Sequence, residues 1–233
     1  MSEAQPLLLC EPTGSEDHVD LGRVPFGVLA HRASRLAGLG TRTILAIAGM
    51  PGAGKSTLAA ELVEHLGDAA ALLPMDGFHL AQDELARLGR AQRKGAPDTF
   101  DAEGYVNTLR RLRRADEPMV YVPLFDRLVE EPIAGGLALS RDVPLIITEG
   151  HYLLLDEQPW EHVVGLVDEA WFCDLDEVTR HPARLCRQDK DLDRSRREAE
   201  RWAFGSEQTS AALIQSSRWR ADLAFRVVEE VRT

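Results

Sequence analysis

One run constrains this chain more than any other: Gly49-Met50-Pro51-Gly52-Ala53-Gly54-Lys55-Ser56-Thr57. It has the form glycine, four free positions, Gly-Lys and a hydroxyl residue. Its surroundings matter as much as the string. Before it, Thr43 to Ala48 is a continuous apolar stretch that suits a strand covered on both faces in a parallel sheet. After it, Leu58, Leu62 and Leu66 with Ala59 and Val63 form a helical stripe that stops at Gly67. A strand, a glycine turn and a helix in that order aim successive backbone N–H groups and the positive helix end at one point, which makes a phosphate cradle. Gly49, Gly52, Ala53 and Gly54 shape the turn, Lys55 brings an ammonium to the β- and γ-phosphates, and Ser56 places a hydroxyl for Mg²⁺. ATP with Mg²⁺ is the expected cofactor pair.

The remaining chain predicts an α/β fold, a three-layer sandwich with a mostly parallel central sheet. Apolar residues Val28, Leu29, Ala33, Leu36 and Ala37 predict a helix within Val24 to Leu39, and Ala70 to Met75 predicts a second strand. A helix is expected over Asp101 to Arg114, then strands at Val143 to Thr148 and Ala170 to Cys173 with a helix over Pro159 to Val167 between them. Leu223 to Val228 can close the sheet. Residues 1–20, interrupted by Pro6, Pro12 and Gly14, are expected to be a loosely ordered leader. Residues 21–233 are expected to form a single domain, because 44% hydrophobic content over this length suits one core.

A net charge of −11 repels phosphodiester backbones and argues against nucleic acid as the main partner. No apolar run reaches the roughly 18 residues of a membrane span, and Leu7 to Cys10 is too short for a signal-peptide core. Cys10, Cys173 and Cys186 lack the spacing of a disulfide framework or zinc site and read as reduced thiols. The cytoplasm is the expected location and a small molecule the expected partner. Oligomeric state is open, with a homodimer as the assembly to test.

A phosphate cradle does not by itself say what receives the phosphate, and three further segments bear on that. Pro74 to His79 stands where the second strand should end; Asp76 there can accept an acceptor hydroxyl's proton, and His79 is a candidate contact. Leu145 to Gly150 is an apolar strand ending in Glu149, where a carboxylate can hold Mg²⁺. Tyr121 to Arg127 sets an aromatic, Asp126 and Arg127 in one short non-helical stretch, suited to recognising hydroxyl and acid groups. The arginines Arg110, Arg111, Arg113 and Arg114 read as charges complementing a helix C-terminus.

Four strings together, Pro-Met-Asp-Gly-Phe-His (74–79), Ala-Pro-Asp-Thr-Phe-Asp-Ala-Glu-Gly-Tyr (96–105), Val-Tyr-Val-Pro-Leu-Phe-Asp-Arg (120–127) and Glu-Gly-His-Tyr-Leu-Leu-Leu-Asp (149–156), resemble the bacterial nucleoside/nucleotide kinase family. That family sits in the uridine kinase, phosphoribulokinase and pantothenate kinase superfamily, and some members are called fructose transport system kinases. The resemblance implies a P-loop NTPase fold and transfer of the ATP γ-phosphate to a hydroxyl of a nucleoside, sugar or similar metabolite. It implies Lys55, Ser56 and Thr57 on ATP and Mg²⁺, Asp76 as base, Glu149 near the metal, and acceptor contacts from His79, Phe100, Asp101, Tyr121, Asp126 and Arg127. It also implies a lid-like segment near 177–210, with Arg184 and Arg187 as its arginines. Pro182 and the acidic Asp189, Asp191 and Asp193 depart from the family pattern there. That departure keeps a catalytically weakened sensor or regulatory ATPase as the alternative.

Overall fold

The structure, a computed structural model, describes residues 18–174 and 206–228. Six strands form one sheet: β1 (Val19–Pro25), β2 (Thr43–Gly49), β3 (Ala70–Pro74), β6 (Leu145–Gly150), β7 (Glu169–Cys173) and β8 (Leu223–Val228). Their spatial order is β1-β8-β7-β2-β6-β3, and every pairing is parallel. Helices α1 (Phe26–Ala37), α2 (Lys55–Leu66), α3 (Gln82–Arg87), α4 (Ala102–Arg114) and α5 (Ser206–Ser216) accompany the sheet. Strands β4 (Met119–Asp126) and β5 (Glu131–Ser140) form a separate antiparallel hairpin.

The parallel arrangement follows from the pattern of burial. All seven residues of β2 and all six of β6 are buried, so neither strand shows the alternation of a half-exposed sheet. Helix α4 sets Tyr105, Val106, Leu109 and Leu112 against this core, and its other face is polar. A buried polar chain fixes its position. The Tyr105 hydroxyl donates to Thr148 Oγ1 at 2.6 Å, and Thr148 in turn donates to the Leu73 carbonyl at 2.7 Å. At the α4 C-terminus, Arg111 pairs with Glu117 and Arg113 with Asp168, in keeping with a structural reading of those arginines.

Two expectations need correction. Pro159 to Val167 is two 3-10 turns, Trp160–His162 and Val164–Leu166, because the segment is short and tied down by the burial of Trp160 and Val163. The leader does not run to residue 20, since Val19 and Asp20 already belong to β1. That edge strand hides from pattern reading: only Val24 is buried, and Gly22 at φ +64° breaks its register between Asp20 and Arg23. Tyr121 to Asp126, expected only as non-helical, is the first arm of the hairpin.

Candidate active site

In a parallel sheet, ligands gather beyond the carboxyl ends of the strands. Here β2, β3, β6 and β7 deliver Gly49, Asp76, Glu149 and Cys173 to that edge. The turn after β2 depends on glycine. A Cβ on Gly49 would lie 2.3 Å from the Cys173 carbonyl oxygen, and Gly52 and Gly54 hold φ of +79° and +83°. Gly54 is the residue preceding α2, so the first helical residue is Lys55. The Cys173 thiol donates to the Ala53 carbonyl at 2.9 Å from beneath the turn, and burial pushes its pKa up to about 12. Cys173 is thus an inert packing thiol.

Lys55 is 3% exposed, and its charge acts on Asp76, Glu149 and Cys173 together. Ser56 donates its hydroxyl to Glu149 Oε2 at 3.0 Å. A hydroxyl and a carboxylate side by side beneath a phosphate cradle suit Mg²⁺, a hard cation that takes few protein oxygens and completes its shell with phosphate and water. Among the described residues, no cluster of three or more His, Cys, Asp or Glu is placed to hold a metal ion.

Asp76 lies in the 3-10 turn Met75–Phe78 that follows β3, and its side chain is 30% exposed. Two glycines let this turn approach its neighbours. A Cβ on Gly77 would sit 2.2 Å from the Pro123 carbonyl of β4, and one on Gly150 would sit 2.5 Å from Met75 Cβ. Burial would raise the Asp76 pKa, but the charges of His151, His79, Lys55 and Arg127 outweigh it and hold the carboxyl below its ordinary value. Glu149 moves the other way. Burial raises it and the nearby Asp76 charge adds to the rise, against Lys55 and the Ser56 hydroxyl. The two neighbouring carboxyls are therefore shifted in opposite directions, the usual mark of divided roles.

His79 donates Nδ1–H to the Asp76 carbonyl at 2.8 Å, since a carbonyl can only accept. Burial lowers its pKa, so the ring is neutral at pH 7 and Nε2 carries a lone pair. Its ring packs 4.0 Å from Phe100 and 4.9 Å from Phe125. Arg127 at the hairpin turn reaches Asp76 at 3.9 Å. Lys94 lies over the Phe125 ring at 5.3 Å and donates to the Glu130 carbonyl, while Glu131 caps α3 at the Gln82 N–H. The hairpin turn, the 88–100 segment and the 3-10 turn thus form one frame around Asp76.

Six of the sequence-derived residues converge here: Lys55, Ser56, Asp76, His79, Arg127 and Glu149. Others are placed differently. Phe100 is buried behind His79 among Tyr152 and Trp160. Asp101 caps α4 through the Gly104 N–H at 2.9 Å, and Asp126 accepts from the Leu128 N–H at 2.8 Å to make the hairpin turn. Tyr121 is 66% exposed on β4, five residues before that turn's Asp126. Arg184 and Arg187 lie outside the described residues. Two residues went unpicked. Lys94 lies in an irregular stretch with no pattern to mark it; His151 stands two places after Glu149, and only the register of the neighbouring strands gives it a place in the site.

A phosphate-cradling turn on a parallel sheet, facing a carboxylate and a hairpin, defines the class as a P-loop kinase fold. Comparison with known proteins narrows it. No family model matches the chain. An Aspergillus versicolor protein named an ATP-dependent kinase-like protein is 40% identical over 119 residues, covering 48% of this chain and 68% of that protein. A Schizosaccharomyces pombe protein named "putative uridine kinase" is 34% identical over 152 residues, covering 61% of this chain and 65% of that protein. The matched stretch spans about two thirds of these relatives' own lengths. The crystal structure of a "putative fructose transport system kinase" from Silicibacter sp. TM1040 superposes with a TM-score of 0.77 at 31% identity, covering 86% of this chain and 98% of that one. The chain belongs to the P-loop kinase family of the ATP-dependent kinase-like protein and the putative fructose transport system kinase.

Proposed function

We propose that this protein is a phosphotransferase that moves the γ-phosphoryl group of ATP to a hydroxyl of a nucleoside, sugar or similar polar metabolite. The observation that carries the reading is the placement of two carboxyls around the buried P-loop Lys55, Glu149 bonded to Ser56 and Asp76 beside Arg127. A nucleotide switch needs the metal-side carboxylate but has no use for the second one, flanked by Arg127 and His79.

In the proposed reaction the acceptor oxygen attacks the γ-phosphorus, the bond from phosphorus to the β,γ-bridging oxygen breaks, ADP leaves, and the hydroxyl proton passes to Asp76. Asp76 suits this because its neighbours keep it ionised. His79 Nε2 can accept a second hydrogen bond from the acceptor, which would orient it. Gly49, Gly52, Ala53, Gly54 and Thr57 belong to the phosphate turn, and Lys55 balances charge on the transferring group. Ser56 and Glu149 would hold Mg²⁺, which when bound offsets phosphate charge. Phe100, Asp101, Tyr121 and Asp126 are proposed to act through the frame, by packing and capping, rather than by reaching the acceptor.

The proposed partner is a small molecule, with no nucleic acid or membrane. Among the described residues, no helix is long and apolar enough to cross a membrane. The cytoplasm remains the proposed location and a homodimer the assembly to test. The function is tested by measuring ADP release from Mg²⁺·ATP across a library of hydroxyl compounds. Stimulation by one acceptor class supports the kinase; hydrolysis indifferent to every acceptor would favour a regulatory ATPase, and ATP binding without turnover a sensor.

A further inference from the structure

His151 has no role in the reaction as described so far, yet it stands between the site's two halves. The ladders show why. Ala48 of β2 pairs with Gly150 of β6, and Pro74 of β3 pairs with Glu149. One residue beyond the first pair, Gly49 begins the phosphate turn beside His151. Two residues beyond the second, Asp76 and His151 leave the sheet on adjacent strands. The chains stay together past the sheet, since Gly150 admits Met75 so closely that a Cβ there would meet it at 2.5 Å.

The side chain uses this position. His151 Nδ1 lies 3.3 Å from the Gly49 carbonyl oxygen, and because a carbonyl only accepts, Nδ1 carries the proton. By register Asp76 is its neighbour just past β3, and a protonated His151 is the largest charge influence lowering that carboxyl's pKa, ahead of His79, Lys55 and Arg127. One imidazole is thereby coupled both to the first residue of the phosphate turn and to the acceptor-side carboxylate.

We propose that His151 is a positioning residue for phosphoryl transfer, bridging the root of the phosphate turn at Gly49 to Asp76 and fixing the separation between donor phosphate and acceptor hydroxyl. The inference rests on the kinase reading above. In-line transfer tolerates little error in that separation: a misplacement of about 1 Å costs about 10²-fold in rate. Neither half of the site sets the distance alone, since Asp76 belongs to a 3-10 turn and Gly49 to a different strand.

The test compares His151→Leu, His151→Asn and Lys55→Ala with wild type, using the best acceptor from the library. His151→Leu is expected to lower kcat about 10²-fold while KM for ATP stays within about twofold. His151→Asn keeps an N–H donor near the Nδ1 position, preserves the Gly49 contact and is expected to recover about tenfold of that loss. If His151→Leu keeps full kcat while Lys55→Ala is dead, the positioning role is overturned and the kinase reading stands. Should Lys55→Ala retain acceptor-dependent turnover, the kinase reading itself fails. A fall in melting temperature with KM for ATP rising in step, equal in both His151 variants, would reduce His151 to packing. An acceptor-independent arm uses crystal structures of wild type and His151→Leu with Mg²⁺ and a non-hydrolysable ATP analogue. The distance from the Asp76 carboxylate to the γ-phosphate is expected to change by about 1 Å; an unchanged distance overturns the proposal.

Discussion

The donor and acceptor halves of the site are built on different principles. The donor half is local: Gly49 to Thr57 is one uninterrupted run from the end of a fully buried strand into the first turn of a helix, and its conformation follows from its own glycines. The acceptor half is assembled from parts. Asp76 and His79 come from the turn after β3, Arg127 and Phe125 from the hairpin, and Lys94 from the 88–100 segment. They meet because Gly77 lets the hairpin backbone approach. Chemistry common to many proteins can be carried by one short string, whereas selectivity depends on how separate segments pack. Changes in the two halves should therefore separate cleanly in kinetics.

The sharpest separation sets Lys55→Ala against Asp76→Asn. Losing Lys55 removes electrostatic stabilisation of the transferring group and should lower kcat/KM by at least about 10³-fold, with weakened ATP binding. Asp76→Asn should lower kcat by about 10²- to 10⁴-fold and leave ATP affinity intact by calorimetry. An unchanged kcat would remove Asp76 from the mechanism.

Gly77→Ala is predicted to break only the acceptor half. Its Cβ would collide with the Pro123 carbonyl, so the hairpin must move and carry Arg127 and Phe125 with it. KM for the acceptor should rise about tenfold, with a stability cost of about 1–3 kcal/mol by chemical denaturation, while KM for ATP holds. A parallel rise in both KM values would show that the halves are not independent.

The pH profile sharpens the comparison next. In the proposed reaction Asp76 acts as base in its ionised form, and its neighbours lower its pKa, so the acidic limb of kcat/KM should fall below the ordinary aspartate value of about 4. Arg127→Gln removes one of the stabilising charges and should move that limb upward. A limb that stays in place in Arg127→Gln would detach Arg127 from Asp76.

The smallest effect concerns stability. Glu149 has a raised pKa in the fold, chiefly from burial, so its contribution is full below its unfolded value and is lost as pH rises through the folded value. At neutral pH its charge is a burden when no metal is bound. Glu149→Gln should raise the metal-free melting temperature by about 2–4 °C while removing Mg²⁺-dependent turnover. A lowered melting temperature would mean that the charged form is held favourably.

The same contrast explains what could be read in advance. The P-loop, its flanking strand and helix, and the parallel core announce themselves through short-range patterns, as in Thr43–Gly49 and Leu58, Leu62 and Leu66. Asp76 and Glu149 were legible because each ends an apolar strand. Strand β5 was not, since Pro132, Gly135 and Gly136 interrupt a mostly exposed arm. Asp101 and Asp126 read as chemistry because capping and recognition use the same residue type, and only the Gly104 and Leu128 N–H partners separate the two. His151 acquires its meaning from register across three strands, which no single stretch of sequence contains.

The most direct test of the account is the fate of the γ-phosphorus of ATP, followed by phosphorus NMR with purified protein, Mg²⁺ and the stimulating hydroxyl compound. The account predicts a phosphate monoester of that compound formed in step with ADP, and none with Asp76→Asn. Release of the phosphorus only as inorganic phosphate, at a rate indifferent to every alcohol supplied, would contradict it.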